Sequence, residues 1–235
     1  MSRVPTIVAL GGGGFLMEPD NPLLDDYLLA QAGVDRPRVA WLGTAMGDSA
    51  RGIAMFHRAM QARDVRASHV SLFDRSGPDL ATTLLQQDVI YVGGGNTANL
   101  LAIWRVHGVD RILAEAWQRG IVLGGVSAGM ICWFEAGVTD SFGPLAALPD
   151  GLGLLPGSAC PHYDGEAERR PTYRRLVSEG FPAGVAADDG AALVFRGTAL
   201  DEVVASRPAA RAFRVERVGD EVRESALPVR YLGAA

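Results

Sequence analysis

The sequence predicts an α/β fold whose sheet is doubly wound and mostly parallel, with small β-strands added near the C-terminus. Over the first 135 residues, short apolar runs alternate with segments of helical period, the pattern of parallel strands joined by crossover helices. Several of these runs end in glycine-rich turns. The last third instead carries short strand-like runs separated by turn residues.

Length and composition indicate one domain over residues 1–235. Apolar residues make up 48% of the chain and charged residues 21%, which are ordinary values for a protein with a buried core. The sequence contains no internal repeat, low-complexity tract or long linker. A second domain is therefore not expected.

Apolar and β-branched content places the first five strands, and capping residues and glycines place the helices between them. We expect strands at residues 6–10, 38–42, 68–73, 89–92 and 121–123. Asn21 and Pro22 predict the start of a helix that Gly33 ends, and Ser49 predicts the N-cap of the next helix. Further helices are expected after residue 97 and over residues 110–119, separated by Gly108.

Strands of the last third are expected around Val185 and over Ala191–Phe195, Val203–Ala205 and Ala212–Val218. Gly219-Asp220 follows the last of these and predicts a hairpin turn.

Charge and composition exclude several classes of function. The net charge is −5 with acids and bases interspersed, so neither nucleic acid nor a membrane is expected as a partner. All 22 basic residues are arginine, which excludes Schiff-base chemistry, pyridoxal phosphate attachment and a Walker A lysine. Two cysteines, Cys132 and Cys160, provide neither a disulfide framework nor a metal-ligand pattern.

No apolar run approaches the ~18 residues of a spanning helix, and the N-terminus reads as a first strand rather than a signal peptide. A cytoplasmic location is therefore expected. The sequence leaves the oligomeric state open, with a homodimer as one option.

The segment Gly125-Val126-Ser127-Ala128-Gly129 fits the G-x-S-x-G pattern of a nucleophile elbow, between an apolar strand and a helix. A serine on such a sharp turn has strained backbone, so the residues two positions away must be small. The amide of Ala128 lies at the start of the helix, where it can face a developing oxyanion. We take Ser127 as the candidate nucleophile.

Because the chain has no lysine, a hydrolytic serine must use histidine as its base, and the chain has four. His162 follows an expected strand in a polar loop, where a functional side chain can be presented. His57 and His107 fall on helices as expected surface residues, and His69 falls within a strand. His162 is the candidate base, with an ordinary loop histidine as the alternative interpretation.

The carboxylate that would orient the base has candidates in two places. Asp140 lies 13 residues after Ser127, and Asp188 and Asp189 lie in an Asp-Asp-Gly segment that is also typical of a simple turn. A basic cluster of Arg169, Arg170, Arg174 and Arg175 fits either a solvated helix face or a clamp for a substrate carboxylate.

Two glycine-rich segments follow strands. Gly11–Gly14 does not fit the dinucleotide fingerprint, because Leu16 stands where a third glycine is needed, and it predicts a tight turn beside a pocket. Gly93–Asn96 ends the fourth strand. Because ligands gather at the carboxyl ends of parallel strands, we expect Gly93–Asn96 and Ser127 to converge.

Taken together, Gly93–Thr97, the Ser127 motif and Pro161-His162 resemble the peptidase E and cyanophycinase family of serine peptidases, over about residues 6–196. The resemblance implies a flavodoxin-like fold related to class I glutamine amidotransferases, with serine in place of cysteine at the elbow. It also implies cofactor-free cleavage of small peptides, especially dipeptides with N-terminal aspartate.

Carried over by position, the resemblance implies Ser127 as nucleophile, His162 as general base and the amides of Gly95 and Ala128 as the oxyanion hole. Asp189 is the favoured acid and Asp140 the alternative. The implied substrate-binding residues are Asn96, Arg169 and, with a shift of one position, Arg170. The loop between residues 162 and 169 differs from the best-known peptidase E pattern.

Three rival functions remain open. A cyanophycinase-like enzyme would cleave a branched aspartyl–arginine polymer, and the arginines at 169–175 argue mildly against it. A non-catalytic flavodoxin-like protein would bind a phosphate compound at Gly11–Gly14. An esterase of the α/β-hydrolase type requires the order serine, acid, histidine, which is compatible with Asp140 but not with Asp189.

Overall fold

A computed structural model of the chain describes residues 3–74 and 79–233. In these ranges the strands are β1 (Thr6–Leu10), β2 (Arg38–Leu42), β3 (Arg66–Val70), β4 (Val89–Val92), β5 (Val122–Val126), β6 (Phe134–Thr139), β7 (Ala146–Leu148), β8 (Leu155–Cys160), β9 (Gly184–Ala187), β10 (Ala191–Arg196), β11 (Ala199–Ala205), β12 (Ala212–Val218), β13 (Glu221–Ala226) and β14 (Arg230–Tyr231). The helices are α1 (Gly14–Met17), α2 (Leu23–Ala30), α3 (Ala50–Gln61), α4 (Leu80–Leu85), α5 (Thr97–His107), α6 (Val109–Gln118), α7 (Ala128–Ile131) and α8 (Arg169–Ser178).

The larger sheet has the order β14-β11-β10-β1-β5-β4-β2-β3. Strands β1, β5, β4, β2 and β3 run parallel to one another, and β10 and β11 add an antiparallel extension beside β1. The predicted α/β class with a mostly parallel sheet is therefore confirmed.

Helices cover both faces of this sheet, so its strands are buried on both sides. Along β1, Ile7 and Ala9 belong to one apolar cluster, while Val8 and Leu10 belong to another. Successive side chains of a strand point to opposite faces, so these two clusters are the two halves of a doubly wound core.

The smaller sheet has the order β13-β12-β9-β8-β6-β7. The predicted hairpin at Gly219-Asp220 joins β12 to β13, with Val218 paired to Glu221. The strands of the last third are thus divided between two sheets, an arrangement that their sequence did not indicate. The reason is that their partners, such as β1 for β10 and β8 for β9, lie far away in the chain.

Two local expectations were wrong. The third strand covers Arg66–Val70 rather than residues 68–73. Pro22, not Asn21, is the N-cap residue of α2, and the amide of Asn21 instead donates to Glu18 and to the carbonyl of Ser206. The expectation for Ser49 held, because its hydroxyl accepts from the amide of Gly52 at the start of α3.

Strands β1, β4 and β5 end at the same edge of the larger sheet. Leu10 is paired with Val126, and Val92 with Gly125. The glycine-rich segments that follow β1 and β4 therefore begin beside the turn that follows β5. Among the described residues, no helix is long and apolar enough to cross a membrane.

Candidate active site

Ser127 lies on the sharp turn between β5 and α7, with φ 59° and ψ −110°. A Cβ at Gly125 would overlap the carbonyl oxygen of Gly129, and a Cβ at Gly129 would lie 2.6 Å from the carbonyl oxygen of Val92. Both glycines are thus required by close backbone approach. Residues 121–126 and 128–130 are buried, whereas Ser127 is partly exposed. The turn therefore raises one hydroxyl toward solvent.

His162 and Asp189 form a direct pair. The Nδ1 atom of His162 is 2.6 Å from Oδ1 of Asp189, and the two side chains are 12% and 15% exposed. Asp189 is held in turn, because its amide donates to the Asp164 carboxylate over 2.8 Å. A carboxylate bonded to Nδ1 favours the imidazole tautomer that carries the proton on Nδ1, and Nε2 is then the acceptor nitrogen.

The end of β1 connects this pair to the serine. The amide of Ser127 donates to the carbonyl of Leu10 over 3.1 Å, and the amide of His162 donates to the carbonyl of Gly11, also over 3.1 Å. Ser127 and His162 are therefore both hydrogen-bonded to the end of β1, one to its last residue and one to the residue that follows it.

Gly12 has no side chain, and the histidine–aspartate pair occupies the space that a side chain would fill. It forms an isolated β-bridge with Asp189. A Cβ at this position would overlap Oδ1 of Asp189 and lie 2.9 Å from Nδ1 of His162. The Gly11–Gly14 turn therefore borders the site, where the sequence predicted a turn beside a pocket.

The segment after β4 closes the other side of Ser127. A Cβ at Gly94 would lie 3.3 Å from Cβ of Ser127. Gly95 has φ 134°, and a Cβ there would overlap the carbonyl oxygen of Ala45. The side chain of Asn96 caps α5 through the amide of Asn99 and donates to the carbonyl of Ser141. Asn96 thus fixes the wall of the site through two structural hydrogen bonds.

A small cavity of about 280 Å³ opens beside the serine. Its lining brings together residues from four separate parts of the chain: Gly95, Asn96, Ser127, Asp140, Glu166 and Arg169. Of the residues predicted to bind substrate, Asn96 and Arg169 line this cavity.

Arg170 is oriented elsewhere, and its predicted role in the substrate site does not fit its position. Its guanidinium pairs with Glu224 and packs over the rings of Tyr163 and Phe213. The other arginines of α8 are also engaged at the surface, Arg174 with Glu224 and Arg175 with Glu179. A solvated helix face therefore describes three of the four clustered arginines.

The two candidate acids occupy different places. Asp140 is exposed and lines the cavity, whereas Asp189 contacts His162. The neighbouring Asp188 turns away and accepts from the amide of Arg211, and burial raises its pKa to about 6. The Asp-Asp-Gly segment is thus a turn that directs its two carboxylates in different directions.

The remaining histidines lie away from this arrangement. His57 on α3 and His69 on β3 share a hydrogen bond of 2.9 Å, and burial lowers the pKa of His57. His107 is the last residue of α5.

Sequence reasoning missed Glu166 and Asp164. Glu166 lines the cavity and forms an ion pair with Arg169, and Asp164 holds the amide of Asp189. Their only sequence signal was proximity to His162 in a loop with many charged residues. Charges in such loops are usually solvated, so the pattern did not distinguish them.

The chain matches Peptidase family S51 over residues 7–203 and belongs to that family. Together with the doubly wound fold and the serine on a strand–helix turn, this match defines a serine-type peptidase. It is also 54% identical over 228 residues to the uncharacterized peptidase YgaJ of Bacillus subtilis (strain 168), covering 97% of this chain and 99% of that protein.

Solved structures support the same fold at lower identity. The crystal structure of a peptidase from an acI-B1 Actinobacterium matches with a TM-score of 0.70 and 16% identity, covering 96% of this chain and 98% of the other. A protein of Listeria monocytogenes EGD-e, provisionally assigned as a peptidase E, matches with a TM-score of 0.57 and 17% identity, covering 96% of this chain and 100% of the other.

Proposed function

We propose that this serine peptidase hydrolyses dipeptides through Ser127, His162 and Asp189, by way of an acyl-enzyme. The observation that carries the proposal is the 2.6 Å contact between Asp189 and Nδ1 of His162, which leaves Nε2 free to act on Ser127. The arrangement of Ser127 and His162 on two consecutive carbonyls of one segment supports the pairing.

The reaction follows from these positions. His162 accepts the Ser127 proton at Nε2 while Oγ attacks the scissile carbonyl. The resulting oxyanion is stabilised by the amides of Gly95 and Ala128. His162 then donates its proton to the leaving amine, and water activated by the same nitrogen releases the acyl group. Asp189 stabilises the imidazolium throughout.

The cavity favours a small, charged substrate. A volume of about 280 Å³ lies just below the usual range of roughly 300–1,000 Å³ for ligand pockets, which supports a short substrate. Asp140 offers a negative group for an N-terminal ammonium, and Arg169 is the cation of the lining that an acidic side chain would reach by replacing Glu166. These contacts support dipeptides with N-terminal aspartate as substrates.

Hydrolysis of a dipeptide panel by wild type and Ser127→Ala tests this proposal. The panel contains peptides with aspartate first, aspartate second and no charged side chain. We expect Ser127→Ala to lower kcat/KM by about 10⁴ or more. The control is Ser178→Ala, which changes an exposed serine at the far end of α8 and is expected to keep wild-type activity. Equal hydrolysis by Ser127→Ala and wild type would end the peptidase proposal.

A second candidate is a cyanophycinase-like exopeptidase. It is favoured by the two carboxylates of the cavity, Asp140 and Glu166, which can attract the guanidinium of an arginine-bearing substrate. Adding β-aspartyl-arginine to the panel separates the two functions. A cyanophycinase-like exopeptidase is expected to hydrolyse it with a higher kcat/KM than every α-linked dipeptide, and a dipeptidase with a lower one.

A further inference from the structure

Arg169 is a buried cation whose Nε–Nη2 edge is already occupied by a carboxylate. Its side chain is 3% exposed. Nη1 donates to the carbonyl of Val138 over 2.9 Å, Nε donates to Oε2 of Glu166 over 2.7 Å, and Nη2 donates to Oε1 of Glu166 over 3.3 Å. Glu166 thus occupies the edge formed by Nε and Nη2, on which arginine binds a carboxylate with two parallel bonds.

Glu166 has a fixed backbone and a half-exposed side chain. Its amide donates to the carbonyl of His162 over 3.2 Å, and its carbonyl accepts from the amide of Arg169 over 2.9 Å. Its side chain is 45% exposed, so water can solvate the carboxylate when it leaves the arginine. A change of rotamer can therefore uncover Arg169 without moving the backbone of the turn that carries His162.

We propose that Glu166 is a specificity-determining residue, which competes with an acidic substrate side chain for Arg169. This inference rests on the proposed function. An incoming aspartyl side chain has to displace the Glu166 carboxylate from the Nε–Nη2 edge before it gains the same two bonds. A neutral side chain does not pay that cost, because it leaves the ion pair intact.

The charges of the cavity act in the same direction. With Glu166 in place, the lining carries one arginine against two carboxylates, Asp140 and Glu166. The cavity is therefore unfavourable to a second anion and favourable to an ammonium group. Neutralising Glu166 balances the lining charge and frees the arginine for the substrate.

The test compares kcat/KM for aspartyl-leucine with kcat/KM for alanyl-leucine, in wild type, Glu166→Gln and Glu168→Gln. Glu168 lies on the same loop, is exposed and does not line the cavity, so its variant is a matched control for loss of one charge. We expect Glu166→Gln to raise the ratio about tenfold, the effect of one charge-assisted hydrogen bond, and Glu168→Gln to leave it unchanged.

Glu166→Asp provides a second variant, because it keeps the charge but withdraws it from Arg169 by one methylene group. It is expected to raise the ratio by a smaller factor than Glu166→Gln. A ratio within twofold of wild type in both variants, or a lowered ratio, would overturn the proposal, since Glu166 would then be neutral or would hold Arg169 ready for substrate. Activity that survives in Ser127→Ala would instead reject the function on which the inference rests.

Discussion

At the scale of single residues, the fold decides between carboxylates that look alike in sequence. Asp189 is close to His162 because its strand end is bridged to Gly12, whose neighbour Gly11 accepts from the His162 amide. Asp140 lies after β6, in the smaller sheet, and reaches the cavity instead of the imidazole. Both positions satisfied the sequence pattern, and the distance to Nδ1 separates them.

Asp25 is a buried carboxylate outside the cavity. It is 1% exposed, accepts from the hydroxyl of Tyr91 over 2.9 Å and lies 3.5 Å from Arg63. Burial raises its pKa to about 6, against the lowering effects of the Tyr91 hydrogen bond and the Arg63 charge. The folded protein therefore keeps this proton over a pH range in which the unfolded chain releases it.

We expect Asp25→Asn to change how stability depends on pH. Because the folded pKa is raised, Asp25 contributes stability at acidic pH that is lost as the pH rises through about 6. From pH 4 to pH 7, wild type should lose on the order of 3 kcal/mol that Asp25→Asn does not lose, measured by urea unfolding. The control, Asp220→Asn, changes a fully exposed aspartate between β12 and β13, retains Asp25 and should keep the wild-type decline. Parallel curves for wild type and Asp25→Asn would contradict this account.

At the scale of elements, the site depends on the glycine segment that ends β1. Gly11 accepts from the His162 amide, and Gly12 leaves room for the imidazole and the carboxylate. The segment thus positions the candidate base without contributing a side chain. The sequence predicted a tight turn beside a pocket here, but it did not indicate that the turn would contact the histidine and its acid.

Gly12→Ala should separate the histidine from its acid. The added Cβ overlaps Oδ1 of Asp189, so the carboxylate has to turn away from Nδ1. We expect kcat to fall by at least about 100-fold, since the imidazole loses its orienting partner. The measurement is kcat for the best dipeptide, with circular dichroism to confirm that the fold is retained. A properly folded variant with wild-type kcat would show that the pair is not needed for turnover.

Sequence reasoning located those elements that have a strong local signal. The bounds of β1, β2 and β4 agree with expectation because each is a continuous apolar run closed by a glycine or a polar residue. The third strand was misplaced by two residues at its start because Arg66–Val70 is polar and only partly buried at the sheet edge. Helix α4 and the short strand β7 were not expected, since neither has a periodic apolar face of useful length.

At the scale of the whole molecule, the site forms where two sheets meet. The larger sheet supplies Ser127, Gly95 and Asp189 from the ends of β5, β4 and the turn before β10, while loops of the smaller sheet supply Asp140, His162 and Glu166. The sequence indicated the convergence within the parallel sheet, because the order of its strands follows known rules. The second sheet depends on long-range pairing, which leaves no local pattern.

Dependence on long-range packing explains why the sequence identified some of the candidate residues and not others. Ser127 could be recognised because the sharp turn that carries it requires Gly125 and Gly129. Gly95 could be recognised because its own φ of 134° favours glycine. The substrate-facing charges have no such requirement, so the resemblance pointed to Arg169 and left Arg170 open as the alternative. Only packing distinguishes them, because Arg169 is buried against Val138 while Arg170 lies over Tyr163.

The central claim is that Ser127 is a nucleophile activated by His162 and Asp189. Its most direct test is the rate at which a fluorophosphonate labels the protein, with the modified peptide identified by mass spectrometry in wild type, Asp189→Asn and Asp140→Asn. We predict one adduct, on Ser127, formed roughly 10³-fold more slowly in Asp189→Asn and within about tenfold of wild type in Asp140→Asn. An adduct on another serine, or an unchanged rate in Asp189→Asn, would contradict the account.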